Sequence, residues 1–351
     1  MRKKFSLIIF ILVLLAFGRP LAAWSGELLA VVAVGDIMMG STGARTVLPP
    51  NDGQDLFKEI GPHLEGGDIL FGNLEGPLLD EGESTKCRDE KSRFCFEFKT
   101  PTRYGRYLQQ AGFKALNLAN NHTWDYGNEG LRSTLETLDA LGIQPLGGKA
   151  VARLEIKGKK VALAGFSYAP SSFSYSILDV EKAKEIIRDL KKDHDLVVVS
   201  FHGGAEGRNA QEVTNEPEIF LNENRGNVRH FSCSVIDAGA DLVLGHGPHV
   251  LRALELYKGK LIAYSLGNFL TYGLFNLKGP NGISVILKIN LDLENGDFLD
   301  GRLIPVKLLN GGIPHYDSTQ EGIGLIKQLT EKSRLNFNIR INGDGDVSPN
   351  P

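Results

Sequence analysis

Cysteine is scarce in this chain, with 3 among 351 residues, and methionine and tryptophan are equally rare. So few thiols exclude a metal centre built on four cysteine thiolates. Neither sign of charge is in excess: 39 basic residues face 42 acidic ones, which excludes the basic footprint of a nucleic-acid-binding protein. A repeat of fixed period is also missing. What remains, 42% hydrophobic and 23% charged residues, is typical of a globular protein large enough to bury a core.

An apolar run opens the chain. Basic residues 2–4 precede the apolar stretch 5–18, and residues 21–23 (Leu-Ala-Ala) resemble a small-residue cleavage site. This pattern predicts a secretory signal peptide at residues 1–23, and with it an exported protein that is periplasmic or associated with the cell envelope. The stretch is shorter than the roughly 20 residues of a spanning helix. An uncleaved membrane anchor is the alternative, and only then would the chain contact a membrane. The absence of a cysteine after the run argues against a lipoprotein.

Removal of residues 1–23 leaves 35 basic and 42 acidic residues, a net charge of −7. An anionic ligand would therefore need a local cation, such as a metal. Cys87 and Cys95 lie in one polar segment and would close a small disulfide loop in an oxidising compartment, with free surface thiols as the alternative. Cys233 lies among apolar helix positions and is interpreted as a small buried residue, not a nucleophile.

Apolar stretches typical of buried strands alternate with amphipathic stretches typical of helices. Strands are predicted at residues 28–36, 68–76, 113–122, 152–158, 159–166, 195–204, 241–249, 260–269, 282–293 and 300–309. Helices are predicted at residues 54–65, 104–112, 129–142 and 179–192. The alternation predicts α/β layers around a buried sheet, and the last two strands, with no helix between them, predict an antiparallel pair. The tail at 342–351 is rich in Gly, Asp, Asn and Pro and is expected to be disordered.

Polar clusters follow five of the predicted strands. They are Asp36, Asn73 with Glu75, Asn120-Asn121-His122, His202, and His246 with His249. The carboxyl edge of an open α/β sheet is where ligands bind. Carboxylate, amide and imidazole groups at this edge suit a divalent Zn, Mn or Fe ion, one or two in number. A single histidine there is more often a hydrogen-bonding residue, and Asp36 alone would serve as a helix cap, but five clusters at one edge favour a metal site.

Several motifs together resemble one family. The runs VGDIMMG, FGNLEGPL, LNLANNHTWDYG, SFHGGAE, DAGADLVLGHGPHV and IAYSLGNF resemble the CapA proteins of capsule synthesis, implicated in poly-γ-glutamate export or assembly. The resemblance extends over residues 31–269 with the motifs in the family's order. It implies a four-layer metallophosphatase-like α/β fold, with two mixed β-sheets flanked by helices, at residues 28–312. A C-terminal helix and the disordered tail would follow at 313–351.

The resemblance also implies roles for particular residues. It implies metal ligands at Asp36, Glu75, Asn121, His202, His246 and His249. It implies catalytic groups at His122, Asp125 and Glu206, and substrate-binding groups at Asn73 and Asn268. The chain departs from the related calcineurin-like metallophosphoesterases at three motifs: Met38 replaces a histidine, Asn73 replaces the carboxylate that bridges two metals, and His249 comes one residue later than in Gly-His-x-His.

Three functions fit this sequence. The first is a metal-dependent, phosphoesterase-like hydrolase that acts in capsule or poly-γ-glutamate synthesis or export. The second is a non-catalytic component of an envelope polymer-synthesis complex, which binds metal or anionic polymer. The third is a γ-glutamyl amide hydrolase or transferase using the same site. The losses at Met38 and Asn73 favour binding alone. Chemistry on an anionic polymer or phosphoester is favoured by the retention of five site residues, namely Asp36, Asn121, His122, His202 and His246.

Overall fold

A computed structural model describes residues 27–84, 86–87, 95–147, 149–169 and 174–351. The signal peptide predicted at residues 1–23 lies outside these residues. The helices of the described part are α1 (Gly61–Leu64), α2 (Gly105–Gln110), α3 (Gly127–Ala140), α4 (Val180–Asp193), α5 (Val228–Asp237) and α6 (Glu321–Glu331).

The strands up to the middle of the chain are β1 (Leu28–Met38), β2 (Ile69–Leu74), β3 (Ala115–Asn117), β4 (Gln144–Leu146), β5 (Val151–Ile156), β6 (Lys159–Ser167), β7 (Tyr175–Ser176), β8 (Leu196–His202), β9 (Ile219–Phe220) and β10 (Glu223–Asn224). The later strands are β11 (Leu242–His246), β12 (Leu254–Tyr257), β13 (Lys260–Ala263), β14 (Asn268–Thr271), β15 (Ile283–Asp292), β16 (Phe298–Leu309), β17 (Ile313–Tyr316), β18 (Ile339–Ile341) and β19 (Asp346–Pro349).

Most strands belong to two mixed sheets. The first has 10 strands in the order β18-β19-β16-β15-β1-β2-β3-β4, with β14 beside β1 and β17 beside β16. The second has 7 strands in the order β12-β13-β11-β8-β6-β5, with β7 beside β6. In the second sheet, antiparallel edge strands flank a parallel centre. In the first sheet, the strands from β1 to β4 are parallel and form one half, and antiparallel strands form the other half. The predicted antiparallel pair near the C-terminus is β15 with β16.

The hydrophobic pattern explains the layers. Leu29, Val31 and Ala33 of β1 join the core that also contains the second sheet, whereas Val32 and Val34 face a separate core with α1, α2 and α3. This alternation follows from the two-residue period of a strand. Helices α4 and α5 cover the outer face of the second sheet. The four-layer α/β architecture expected from the sequence is confirmed.

Helix α4 shows why the helical stretches form where they do. Its buried residues Ala183, Ile187 and Leu190 are spaced by four and three positions, which places them on one face of the helix. The carboxylate of Asp179 accepts the backbone N–H of Lys182 at 3.1 Å and caps the first turn.

The helix predicted at 54–65 is shorter than expected. Residues 54–60 form turns, several of them closed by hydrogen bonds that span three residues, and only Gly61–Leu64 is α-helical. Pro62 contributes to this shortening, because it has no backbone N–H to donate to the preceding turn.

The tail expected to be disordered is ordered instead, and this prediction is wrong. Strands β18 and β19 pair with each other, and β19 pairs with β16 of the first sheet. Ile339, Ile341 and Val347 are buried in the main core. Composition misled here because Val347, within the predicted tail, joins Ile339 and Ile341, which precede it, in the main core. Among the described residues, no helix is long and apolar enough to cross a membrane.

Candidate metal centre

Strand register places polar side chains next to one another. In the first sheet, Asp36 of β1 pairs with Asn73 of β2 on one side and with Asn268 of β14 on the other. In the second sheet, His202 and His246 end the neighbouring parallel strands β8 and β11 and are paired. Because paired residues on adjacent strands lie about 5 Å apart, each sheet presents a compact polar group at its edge.

The chain crosses from the second sheet to the first just before Asn268. The predicted strand 260–269 is therefore two strands: β13 ends at Ala263, and β14 begins at Asn268 beside β1. Gly35 makes room for this crossing, since a Cβ there would overlap the carbonyl oxygen of Gly267. The backbone N–H of Asp36 donates to that same carbonyl at 3.0 Å. The crossing thus fixes the position of Asp36 between the two sheets.

Two carboxylates lie at the centre of the site, with three histidines around them. His246 Nδ1 is 3.4 Å from Asp36 Oδ1, and His249 Nδ1 is 3.0 Å from Asp36 Oδ2. The Nε2 atoms of His249 and His202 are 3.5 Å and 3.9 Å from Glu75 Oε1. One ligand atom each from Asp36, Glu75 and His249 lie within 4.8 Å of one another. These three residues form a candidate metal-binding triad.

His249 reaches the triad through an unusual backbone conformation. Its φ is 55°, in the left-handed region that few residues other than glycine adopt. Its Nδ1 also lies 3.1 Å from Asn268 Oδ1, and the amide of Asn268 donates to the backbone carbonyl of His249 at 3.3 Å. The turn returns the imidazole to the site despite the additional residue between His246 and His249.

The charges of the triad depend on one another. Burial disfavours ionised Asp36, but the nearby imidazoles of His246 and His249 outweigh burial and hold its pKa well below the usual range. Burial raises the pKa of Glu75 to about 8, with the charge of Asp36 adding to the effect and that of His249 opposing it. Burial also disfavours charged His249, but Glu75 and Asp36 raise its pKa to about 10. Without a cation, this site therefore retains protons at neutral pH.

Several buried polar atoms of the site lack a hydrogen-bond partner among the described residues. They are Glu75 Oε1 and Oε2, Asn121 Oδ1, His202 Nε2, and both ring nitrogens of His246. Leaving a buried polar group unpaired is costly, more so for a charged one. The carboxylate and amide oxygens, and one ring nitrogen of each neutral imidazole, offer lone pairs that bind a metal ion, so the set mixes nitrogen and oxygen donors. The residues present therefore fit a divalent cation.

Asn73, in contrast, is committed to hydrogen bonds. Its Oδ1 accepts from the side-chain amides of Asn117 at 2.9 Å and Asn120 at 3.1 Å. Those two amides are oriented by backbone groups, since the Oδ1 of Asn117 accepts from Ala119 N at 3.1 Å. Asn73 Nδ2 must then face the centre, where it donates to Asp36 Oδ1 at 2.9 Å. Asn73 thus presents a donor, not a ligand oxygen, to the centre.

His122 and Asp125 form a pair beside the triad. His122 Nδ1 lies 2.7 Å from Asp125 Oδ2, and because an ionised carboxylate only accepts hydrogen bonds, Nδ1 carries the proton. Burial lowers the pKa of His122, and the charge of Asp125 opposes this effect. The ring of Phe98 packs against His122, with centroids 4.2 Å apart and ring planes tilted by 33°.

Glu206 occupies a different position from the other candidates. Its Oε1 accepts from Arg225 at 2.9 Å, and the Arg225 guanidinium lies over the ring of Tyr168, 4.0 Å from the centroid. The charge of Glu206 still acts on the triad, because it raises the pKa of both Glu75 and His249.

Three residues of the site had no sequence prediction of a role, namely Lys86, Asn117 and Phe98. Lys86 Nζ donates to Asp125 Oδ1 at 2.6 Å and to the carbonyl of Asn121 at 3.0 Å. Lys86 adjoins the Cys87–Cys95 disulfide, whose prediction is confirmed. A lysine in a polar loop carries no sequence signal of a buried partner. Asn117 does end a strand, which is the signal that identified the other candidates.

Comparison with known proteins identifies a matching family and two similar proteins. The family model described as "Bacterial capsule synthesis protein PGA_cap" matches residues 30–272. The "Capsule biosynthesis protein CapA" of Bacillus anthracis is 30% identical over 335 residues, which cover 89% of this chain and 75% of that protein. The "PGA biosynthesis protein CapA" of Bacillus subtilis (strain 168) is 30% identical over 262 residues, 70% of this chain and 64% of that protein.

A solved structure shows the same fold. The crystal structure titled as a novel phosphatase of Mycoplasma pneumoniae aligns with a TM-score of 0.51 and 16% sequence identity. The alignment covers 86% of this chain and 100% of that chain. At this identity the likeness concerns the fold alone, which is metallophosphatase-like.

Proposed function

The chain belongs to the family of bacterial capsule synthesis proteins denoted PGA_cap, and we propose that it is a metal-dependent hydrolase of the phosphoesterase type. Its role would be in the synthesis or export of a capsule or of poly-γ-glutamate, with an anionic polymer or a phosphoester as substrate. Membership of the family supports the biological setting. The geometry of the site supports the chemistry.

The unpaired buried atoms of the triad carry this proposal. Glu75 has no exposed surface, and neither of its carboxylate oxygens has a hydrogen-bond partner among the described residues. A fold that only needed to fill this space would place an apolar side chain there, because an unpaired buried carboxylate destabilises the protein. Asp36, Glu75, His246 and His249 would hold the cation, with His202 and Asn121 as further ligands.

A bound divalent cation would polarise a phosphoryl oxygen and lower the pKa of a bound water. Side chains of the protein bind and transfer the protons. Because Nδ1 of His122 donates to Asp125, the ring offers its Nε2 lone pair on the opposite side. His122 is neutral in this buried setting, so it takes up a proton before it can deliver one to a leaving group. Asp125 stabilises the imidazolium that forms.

Replacement of His122 tests this role. We expect His122→Ala to retain the bound metal and to lose turnover by roughly 10²–10⁴, the range for a general acid–base group. Activity would be measured on phosphoesters and on poly-γ-glutamate, with His230→Ala as a control because His230 is exposed on α5. Equal turnover by wild type and His122→Ala, on a substrate that wild type hydrolyses, would remove His122 from the mechanism.

Two observations favour a second function, in which the site binds metal or polymer without turnover. Met38 replaces the first-motif histidine and is buried, with its Sδ accepting from Gly40 N at 3.3 Å. Asn73 replaces the bridging carboxylate and presents a donor to the centre. Both features favour one cation over two. Wild-type protein that binds metal but hydrolyses neither phosphoesters nor γ-glutamyl amides would favour this binding function.

Export is part of the same proposal. The basic, apolar and small-residue pattern at residues 1–23 supports a cleaved signal peptide. N-terminal sequencing of protein from the cell envelope should begin near Trp24. A sequence beginning at Met1 would favour an uncleaved anchor.

A further inference from the structure

We propose that Lys86 is a positioning residue for His122, and that the Cys87–Cys95 disulfide holds Lys86 at the site. The inference deepens the proposed function, on which it rests for the importance of His122. The contacts themselves do not depend on that function.

The ammonium group of Lys86 contacts the His122–Asp125 pair directly. Its Nζ donates to Asp125 Oδ1 at 2.6 Å and lies 3.2 Å from His122 Nδ1. It also donates to the carbonyl of Asn121, the residue before His122. About a third of the Lys86 side chain is exposed, whereas Asp125 is fully buried. The ammonium group of this partly exposed lysine therefore neutralises a carboxylate that solvent does not contact.

The segment that follows Cys95 contacts the same carboxylate. The backbone N–H of Phe98 donates to Asp125 Oδ2 at 2.8 Å, and the Phe98 ring covers the imidazole of His122. Cys95 is three residues before Phe98, as Cys87 is one residue after Lys86. The disulfide thus joins two short segments that hold Asp125 from both sides.

The approach of Lys86 is also tied to the turn that carries His122. Ser84 Oγ donates to the carbonyl of Asp125 at 3.1 Å, and the backbone N–H of Lys86 donates to Ser84 Oγ at 3.1 Å. With both carboxylate oxygens of Asp125 satisfied, the carboxylate is fixed and so is the ring that donates to it. Without Lys86, Asp125 Oδ1 loses a charge-assisted bond and the carboxylate reorients.

Nuclear magnetic resonance tests the inference without any turnover. The hydrogen-bonded Nδ1–H of His122 should give a downfield proton signal in the full mature protein, assigned by its absence in His122→Gln. We expect Lys86→Met and the Cys87→Ser/Cys95→Ser double variant to lose this signal, and Lys86→Arg to retain it. Lys99→Met is the matched control, because Lys99 lies over the ring of nearby Tyr126 without contacting Asp125.

Kinetics on a phosphoester supply the second readout. Lys86→Met should lower kcat by about 10²-fold, the effect of a misplaced catalytic group, with KM and metal content unchanged and with recovery in Lys86→Arg. If wild type hydrolyses neither phosphoesters nor poly-γ-glutamate, the proposed function fails, and the Nδ1–H signal still decides the role of Lys86. A signal in Lys86→Met as strong as in wild type, or no signal in wild type, would overturn the inference. A persistent signal in the double cysteine variant would show that the disulfide has no part in positioning His122.

Discussion

Glu75 and His249 illustrate, at the scale of single residues, how burial and charge work against each other. Each holds a proton that a metal ion must displace, because burial raises the pKa of Glu75 to about 8 and the two carboxylates raise that of His249 to about 10. The cation supplies the positive charge of the protons that it displaces, so metal binding is coupled to proton release.

The affinity for metal should therefore rise with pH. Below the pKa of Glu75, about 8, both groups are protonated and binding releases two protons. Between that pH and about 10, the pKa of His249, it releases one. Each released proton makes the affinity rise about tenfold per pH unit. Titration calorimetry in buffers of different protonation enthalpy measures the release. An affinity that does not change from pH 6 to pH 9 would contradict these assignments.

Asn73 provides a second test at this scale. Asn73→Asp would replace the donor to Asp36 with a second carboxylate, so without metal we expect a loss of about 1–3 kcal/mol of unfolding free energy. Added metal should restore more stability to Asn73→Asp than to wild type, because the new carboxylate gains a cation partner. Urea unfolding with and without metal measures both effects. Unchanged stability of the metal-free variant would show that Asn73 does not donate to Asp36.

Some residues of the site could be predicted from the sequence and others could not. Asp36, His202 and His246 follow apolar stretches, so a local pattern identifies them. His249 reaches the triad only through a left-handed backbone that spacing does not reveal. Lys86 reaches Asp125 through a disulfide and a long-range contact, for which a single sequence carries no signal.

At the scale of elements, the strand-and-helix alternation predicted most of the parallel strands of both sheets, because these strands are mostly apolar. It did not predict that the stretch 260–269 divides between the two sheets. The polar Ser265 and the small Gly267, both within that stretch, lie at the crossing, but an apolar pattern around them is equally consistent with one strand.

The C-terminal strands make a prediction about stability. Ile341 of β18 is buried in the main core, whereas its neighbour Arg340 is exposed. We expect Ile341→Ala to lower the unfolding free energy by about 2–5 kcal/mol, as for other truncations of buried side chains. Arg340→Ala should have little effect. Equal urea midpoints for the two variants would mean that the tail does not pack on the sheet in solution.

At the scale of the whole molecule, the site joins the two sheets. Asp36, Asn73 and Glu75 come from the first sheet, while His202 and His246 end strands of the second. A cation bound between them would link the two layers. It should then stabilise the entire fold, not a single loop.

Metal should accordingly raise the stability of the wild type. A ligand that binds only the folded state contributes about 2.7 kcal/mol at 100 times its dissociation constant. The gain should be absent in Glu75→Ala, whose fold circular dichroism would verify before the comparison. Thermal unfolding at fixed protein concentration gives the comparison. A similar gain in both proteins would place the cation elsewhere.

The metal content of the purified protein tests the central claim most directly. The mature chain would be loaded with Mn, Zn or Fe, freed of unbound ion and analysed by plasma mass spectrometry. Wild type and the surface control His230→Ala should each retain at least one divalent ion per chain, whereas Asp36→Asn and His249→Ala should retain none. Wild-type protein without bound metal after loading would contradict a metal centre at Asp36, Glu75 and His249.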